Sequence, residues 1–120
     1  MSLEVQIQEA DTHFSIKAVG QYSLANLYDL FDRLKEESEK RGAQAVILDI
    51  TEVAGTIPTV DMYMLGVYCY RVLKSWVRIA IIFPDGGANK FLENVTRNRG
   101  LQVAVVPDHG AATKWVNRDQ

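Results

Sequence analysis

The chain has one cysteine in 120 residues, Cys69, so no disulfide can form within it. A lone thiol fits a reducing compartment. There is no basic excess: 13 lysines and arginines stand against 15 aspartates and glutamates, for a formal charge of -2. Generic nucleic-acid binding works by neutralising phosphates, so it is not expected. No apolar run approaches the roughly 18 residues of a membrane-spanning helix. The N-terminus lacks a basic-then-apolar leader pattern. A cytoplasmic protein of bacterial type is the expectation these absences leave. Catalytic patterns are missing too. There is no Cys-x-x-Cys pair, no glycine-flanked nucleophilic serine, and no nucleophile evident beside His13 or His109. No enzymatic activity, catalytic residue, metal or cofactor is therefore expected.

The residues that are present describe one α/β domain over 1–120. Apolar residues make up 48% and charged residues 23%, ordinary for a globular chain. Glu4 to Gln8 and His13 to Val19 alternate polar and apolar about a turn at Ala10-Asp11-Thr12, which predicts a hairpin. Ser23 caps a helix with Leu24, Leu27, Tyr28, Phe31 and Leu34 at helical spacing, and Gly42 stops it. Residues 45–50 read as a buried strand, 59–75 as a helix and 77–83 as a strand. Residues 88–98 read as a helix and 101–106 as a strand. Asp108 starts a short last helix that docks Trp115 and Val116. Strands alternating with helices after a hairpin predict a mostly parallel sheet of about five strands. The hairpin supplies an antiparallel edge strand, and about four helices cover the sheet.

The helix from Thr59 is apolar on two sides. Met62, Leu65, Gly66, Cys69 and Leu73 share the side suited to the sheet, with Tyr70 beside it. Met64, Val67 and Tyr68 lie roughly opposite, with Arg71. Three things can cover that second side: a neighbouring helix, a protein partner or second subunit, or a small apolar ligand. At the helix start, Thr59 is expected to act as N-cap, with Asp61 complementing the dipole. Thr56 and Thr59 are also hydroxyls where phosphate would be favoured by free backbone N–H groups.

A polar cluster is expected where parallel strands end: Asp49, Asp85, Asp108 and His109. As chemistry, acids there suit a cation or acid–base work. As structure, Asp108 is an N-cap and His109 a surface loop residue.

The run Asp49-Ile50-Thr51 after a buried strand resembles the Asp-Leu-Ser hallmark of the STAS superfamily, named for sulfate transporters and anti-sigma-factor antagonists. The small stand-alone SpoIIAA-like proteins are the nearer likeness. The patterns that carry it are Thr59 through Gly66, Phe91-x-Glu93-Asn94 with Asn98-Arg99-Gly100, and Ala111-Ala112-x-x-Trp115-Val116. Ile57-Pro58-Thr59-Val60 occupies the place of that family's Asp-Ser-Ser-Gly, with Thr59 at the phosphoacceptor serine. The other three positions depart, including the loss of the glycine. The resemblance implies an architecture of that type; the missing catalytic patterns and the second apolar side of the helix lead to the expectation of a regulatory or binding module without enzymatic activity. Its surface would be the 51–61 junction with Asp61, Met64, Val67, Tyr68 and Arg71. The partner would be a kinase, a sigma-factor regulator or a second copy of the chain. A carrier or sensor of a small apolar or lipid-like ligand is the first alternative, and an enzyme using Asp49, Asp85, Asp108 and His109 is the second.

Overall fold

The computed structural model describes residues 3–10, 13–73, 77–83 and 102–117. β1 (Glu4–Glu9) and β2 (Phe14–Gln21) form the expected antiparallel hairpin. β3 (Ala45–Ala54), β4 (Arg78–Ile82) and β5 (Gln102–Val106) continue it in parallel. The spatial order is the chain order, β1-β2-β3-β4-β5. Among the described residues there are three helices: α1 (Leu24–Arg41), α2 (Thr59–Val72) and α3 (His109–Val116). The helix expected over 88–98 lies outside the described residues.

The connections β2-α1-β3 and β3-α2-β4 step across the sheet in the same direction. Right-handed crossover therefore places α1 and α2 on one face. There, Phe14, Ile16, Val46, Leu48, Ile79 and Ile81 meet Leu27, Phe31, Leu34, Met62, Leu65 and Cys69. The strand period of two turns the alternate residues to the other face. On that side Ala45, Ile47, Ala80, Ile82, Ala104 and Val106 pack against Ala112 and Val116 of α3.

Local signals set the helix ends. The Ser23 hydroxyl accepts from Asn26 N–H at 3.0 Å, and Gly42 closes α1 in the left-handed region at φ 61°. The last turn of α1 is tied to the hairpin by Arg41, which binds Glu9 at 2.8 Å and Glu37. Its guanidinium also lies over the Phe14 ring, 5.3 Å from the centroid.

β3 runs four residues beyond its expected end. Its ladder to β4 stops at Asp49, but its ladder to β2 shifts register after Lys17 and continues to Ala54. Thr51 and Val53 suit a strand, and β2 is long enough to pair with them. Part of the junction expected to be loop is therefore sheet. Only Gly55 to Pro58 connects it to α2.

Gly42 and Gly55 test the backbone demands at these ends. A Cβ at Gly42 meets nothing within 4 Å, so Gly42→Ala carries only the left-handed penalty, about 1 kcal/mol. At Gly55, with φ 109°, a Cβ would stand 3.2 Å from Gln21 Nε2 and 3.3 Å from Tyr22 Cβ. Gly55→Ala is expected to cost more, about 2 kcal/mol or above. Urea unfolding of both variants measures the difference.

Candidate functional site

α2 does not start as expected. Pro58 is the N-cap, extended at φ -63° and ψ 152°, and no side-chain cap bond closes the helix. Thr59 is already the first helical residue. A side chain with helical backbone angles points away from the N–H groups that an N-cap oxygen reaches. The expected capping role of Thr59 is therefore not realised. Thr56 and Thr59 are both exposed. Asp61 does lie in the first turn. Its carboxylate is held by the Tyr22 hydroxyl, which donates to Oδ2 at 2.6 Å. Burial and that bond raise the Tyr22 pKa.

The inner side of α2 is core: Met62, Leu65, Gly66 and Cys69 are buried. Burial pushes the Cys69 thiol up to about 12. The lone cysteine thus packs as a hydrophobe and is a poor nucleophile. On the outer side Val60, Tyr63, Met64 and Tyr70 are 64%, 43%, 42% and 48% exposed. They are all of the exposed large apolar side chains among the described residues. Tyr68 is partly used within the monomer. It stacks on Tyr28 of α1, centroids 4.2 Å apart, and donates to Asp32 at 2.6 Å. That bond, then burial, pushes its hydroxyl up to about 12. Met64, Val67, Tyr68 and Arg71 join Tyr28 and Tyr63 around a groove of about 270 Å³.

The polar cluster is divided. Asp49 and His109 meet, with His109 Nε2 2.9 Å from Asp49 Oδ2. Asp108 caps α3, accepting from Ala111 N–H at 2.8 Å. Asp85 lies outside the described residues. No group of three or more metal-ligating side chains is present among the described residues.

Register explains why Asp49 stands where it does. One row across the sheet reads Gln6, Lys17, Asp49, Ile82, Val106, and the next reads Gln8, Ser15, Ile47, Ala80, Ala104. Both rows change from polar to apolar at β3. α3 covers the apolar part, and its first residue bonds to Asp49 at the boundary. The polar part, with Gln6, Gln8, Ser15, Lys17, Asp49 and His109, lines an open groove of about 500 Å³. Lys17 is ion-paired with Glu52 there.

The Asp49 carboxylate is almost fully buried. Burial works to raise its pKa. Bonds from the Thr51 hydroxyl and N–H, at 2.7 and 2.9 Å, and from His109 outweigh that and lower it. With Asp49 ionised, a neutral His109 carries its proton on Nε2, which leaves Nδ1 to accept. Such a pair can orient a base. Among the described residues no hydroxyl or thiol is hydrogen-bonded to that ring to serve as nucleophile.

Tyr22 and Tyr28 were not legible as site residues. Their signal was the tyrosine itself, whose half-buried ring needs a partner for its hydroxyl or face. The polar half-face was hidden because it depends on register across three strands.

No family model and no curated protein matches the chain. Among solved structures it is similar to an uncharacterized protein of the DUF3478 family with a SpoIIAA-like fold, from Shewanella loihica. The two are 21% identical, the likeness covers 96% of this chain and 94% of the other, and the TM-score is 0.49. No helix among the described residues is long and apolar enough to cross a membrane.

Asp49 has a signed pH consequence. Its folded-state pKa lies below the ordinary 3.8. Its contribution to stability is therefore complete above that value and is lost as the pH falls through the depressed one. Asp49→Asn is expected to cost roughly 1–3 kcal/mol at neutral pH. Its urea midpoint should also change less than that of the wild type between about pH 6 and about pH 3.

Proposed function

We propose that this chain is a non-enzymatic binding module of STAS-like type that docks a protein through the start and outer side of α2. The observation that carries this is the gathering of Val60, Tyr63, Met64 and Tyr70 on one helix. Exposed apolar side chains scattered singly need no explanation, but a contiguous group does. Tyrosine and methionine suit such contacts, since they supply area at small entropic cost. Arg71 at the end of the groove supplies orientation. A kinase or sigma-factor regulator is the kind of partner the sequence resemblance implies. A carrier of a small apolar ligand has less support, because the α2 groove opens to solvent.

In this reading Thr59 is the control point and Thr56 the second candidate. The Thr59 hydroxyl is exposed at a helix N-terminus and does no capping. A phosphate there is favoured by the helix dipole and adds close to two negative charges beside the docking face.

Two variants test the proposal. Affinity capture from the native host with Met64→Asp as bait should recover the partner at least about tenfold less well than wild type. Thr59→Glu should change partner affinity by several fold, with unfolding free energy within about 0.5 kcal/mol of wild type. A partner bound equally by all three proteins would refute the docking face.

A further inference from the structure

We infer that the open edge of β1 takes up an extended segment of another protein as a sixth strand, one that carries lysine or arginine among its apolar residues. This surface is separate from α2 and does not depend on the reading given to that helix.

β1 is the first strand of the sheet, and among the described residues nothing pairs with its outer edge. Register shows which backbone groups are left open. The Ala10 N–H donates to the His13 carbonyl at 2.9 Å. Hydrogen-bonded pairs alternate along an antiparallel ladder, so Gln8–Ser15, Gln6–Lys17 and Glu4–Val19 continue the bonded set. Val5, Ile7 and Glu9 therefore turn their N–H and C=O groups to the open edge. Such an edge is usually blunted by proline, lysine or a bulge. β1 has neither proline nor lysine, and its ladder to β2 has no register shift.

The side chains along that edge are incompletely covered as well. Leu3, Val5 and Ile7 pack on the core yet are only half-buried. Beside them a groove of about 300 Å³ lies between β1 and α1. Leu3, Val5 and Leu30 line it, together with Asp29, Asp32 and Glu36 of α1. The one cation in its lining, Arg33, is bound to Glu37. None of the three carboxylates is ion-paired among the described residues.

Charge selects the occupant. A strand added to β1 sends alternate side chains toward the α1 face. Lysine or arginine there lays its apolar stem along Leu3 and Val5 and carries its cation to the carboxylates. A second copy of this chain fits badly. Two β1 strands paired in antiparallel about a two-fold axis keep both α1 helices on one face of the joined sheet. Asp29, Asp32 and Glu36 then face the same residues of the second copy. Pairing along the full strand also sets Glu4 opposite the second copy's Glu9. In a strand addition the backbone bonds supply affinity, and the side chains facing the groove supply selectivity.

Two acetylated, amidated peptides test the site: Lys-Thr-Val-Thr-Val-Thr-Lys, and its counterpart with glutamate at both ends. Each is titrated into the full chain from about 1 µM to about 2 mM and followed by NMR. The lysine peptide should bind at least about tenfold tighter than the glutamate peptide. On binding, amide hydrogen exchange at Val5 and Ile7 should slow at least about tenfold, while Gln6 and Gln8, already bonded to β2, change less. Asp29→Lys combined with Glu36→Lys, both exposed on α1, should reverse the preference between the peptides. A lysine peptide that does not bind, or that binds without slowing exchange at Val5 and Ile7, overturns the inference. So does a charge-reversed variant that keeps the wild-type preference. Slowing at those amides that rises with protein concentration alone also overturns it, since a second copy then fills the edge. Neither peptide probes α2, so failure here leaves the α2 docking face standing.

Discussion

A strand in the middle of a sheet has both its edges taken, and β3 must bury both its faces as well. Residues 45–50 of β3 are all buried. Val46, Leu48 and Ile50 face α1 and α2, and Ala45 and Ile47 face α3. The whole arrangement follows from that demand. Two crossover helices cover one face because the strands are laid down in one direction. The other face would stay wet without α3, which returns after β5 to cover it. α3 is only eight residues long. It therefore covers part of that face, and the side chains it leaves bare on β1 and β2 are polar apart from Val19.

Asp49 is the one charged residue in the buried run of β3, and it sits at the limit of α3's cover. A carboxylate there is tolerated because every strong demand on it is met locally. Thr51 donates twice from two residues ahead, and His109 donates from the start of α3. The pair thus joins the boundary of the core to the first residue of the helix that makes the boundary. Removing any one donor would leave a buried charge short of partners, which is more costly than the bond's net worth.

α2 shows the opposite balance. Its inner residues are as buried as any in the molecule, yet its outer side keeps its large apolar groups in water. α1 covers one flank through Tyr28 and Asp32, which engage Tyr68. α1 does not cover Tyr63, Met64 or Val60. The distinction matters, because helix-on-helix packing and an exposed face turn out to be neighbours on one helix and not alternatives. Tyr22 and Tyr68 mark the line between them, each with its hydroxyl on a carboxylate, Asp61 and Asp32.

The order of strands and helices, the hairpin, the caps at Ser23 and Asp108 and the two apolar sides of α2 were legible in periodicity and local chemistry. These depend on residues within a few positions of one another. Three features were not legible. Thr59 fails to cap because Pro58 takes the preceding extended position, and the choice between adjacent residues turns on one pair of dihedrals. The extension of β3 to Ala54 depends on the length of its neighbour β2. The meeting of Asp49 with His109 joins residues 60 apart, and it requires both the parity of β3 and the landing point of α3. Sequence alone determined which residues are apolar, at what period, and where the chain must turn, because those are properties of short segments. Only the tertiary structure decided which polar residues share a face and which apolar ones stay in water, because these depend on register across the sheet and on how far each helix reaches.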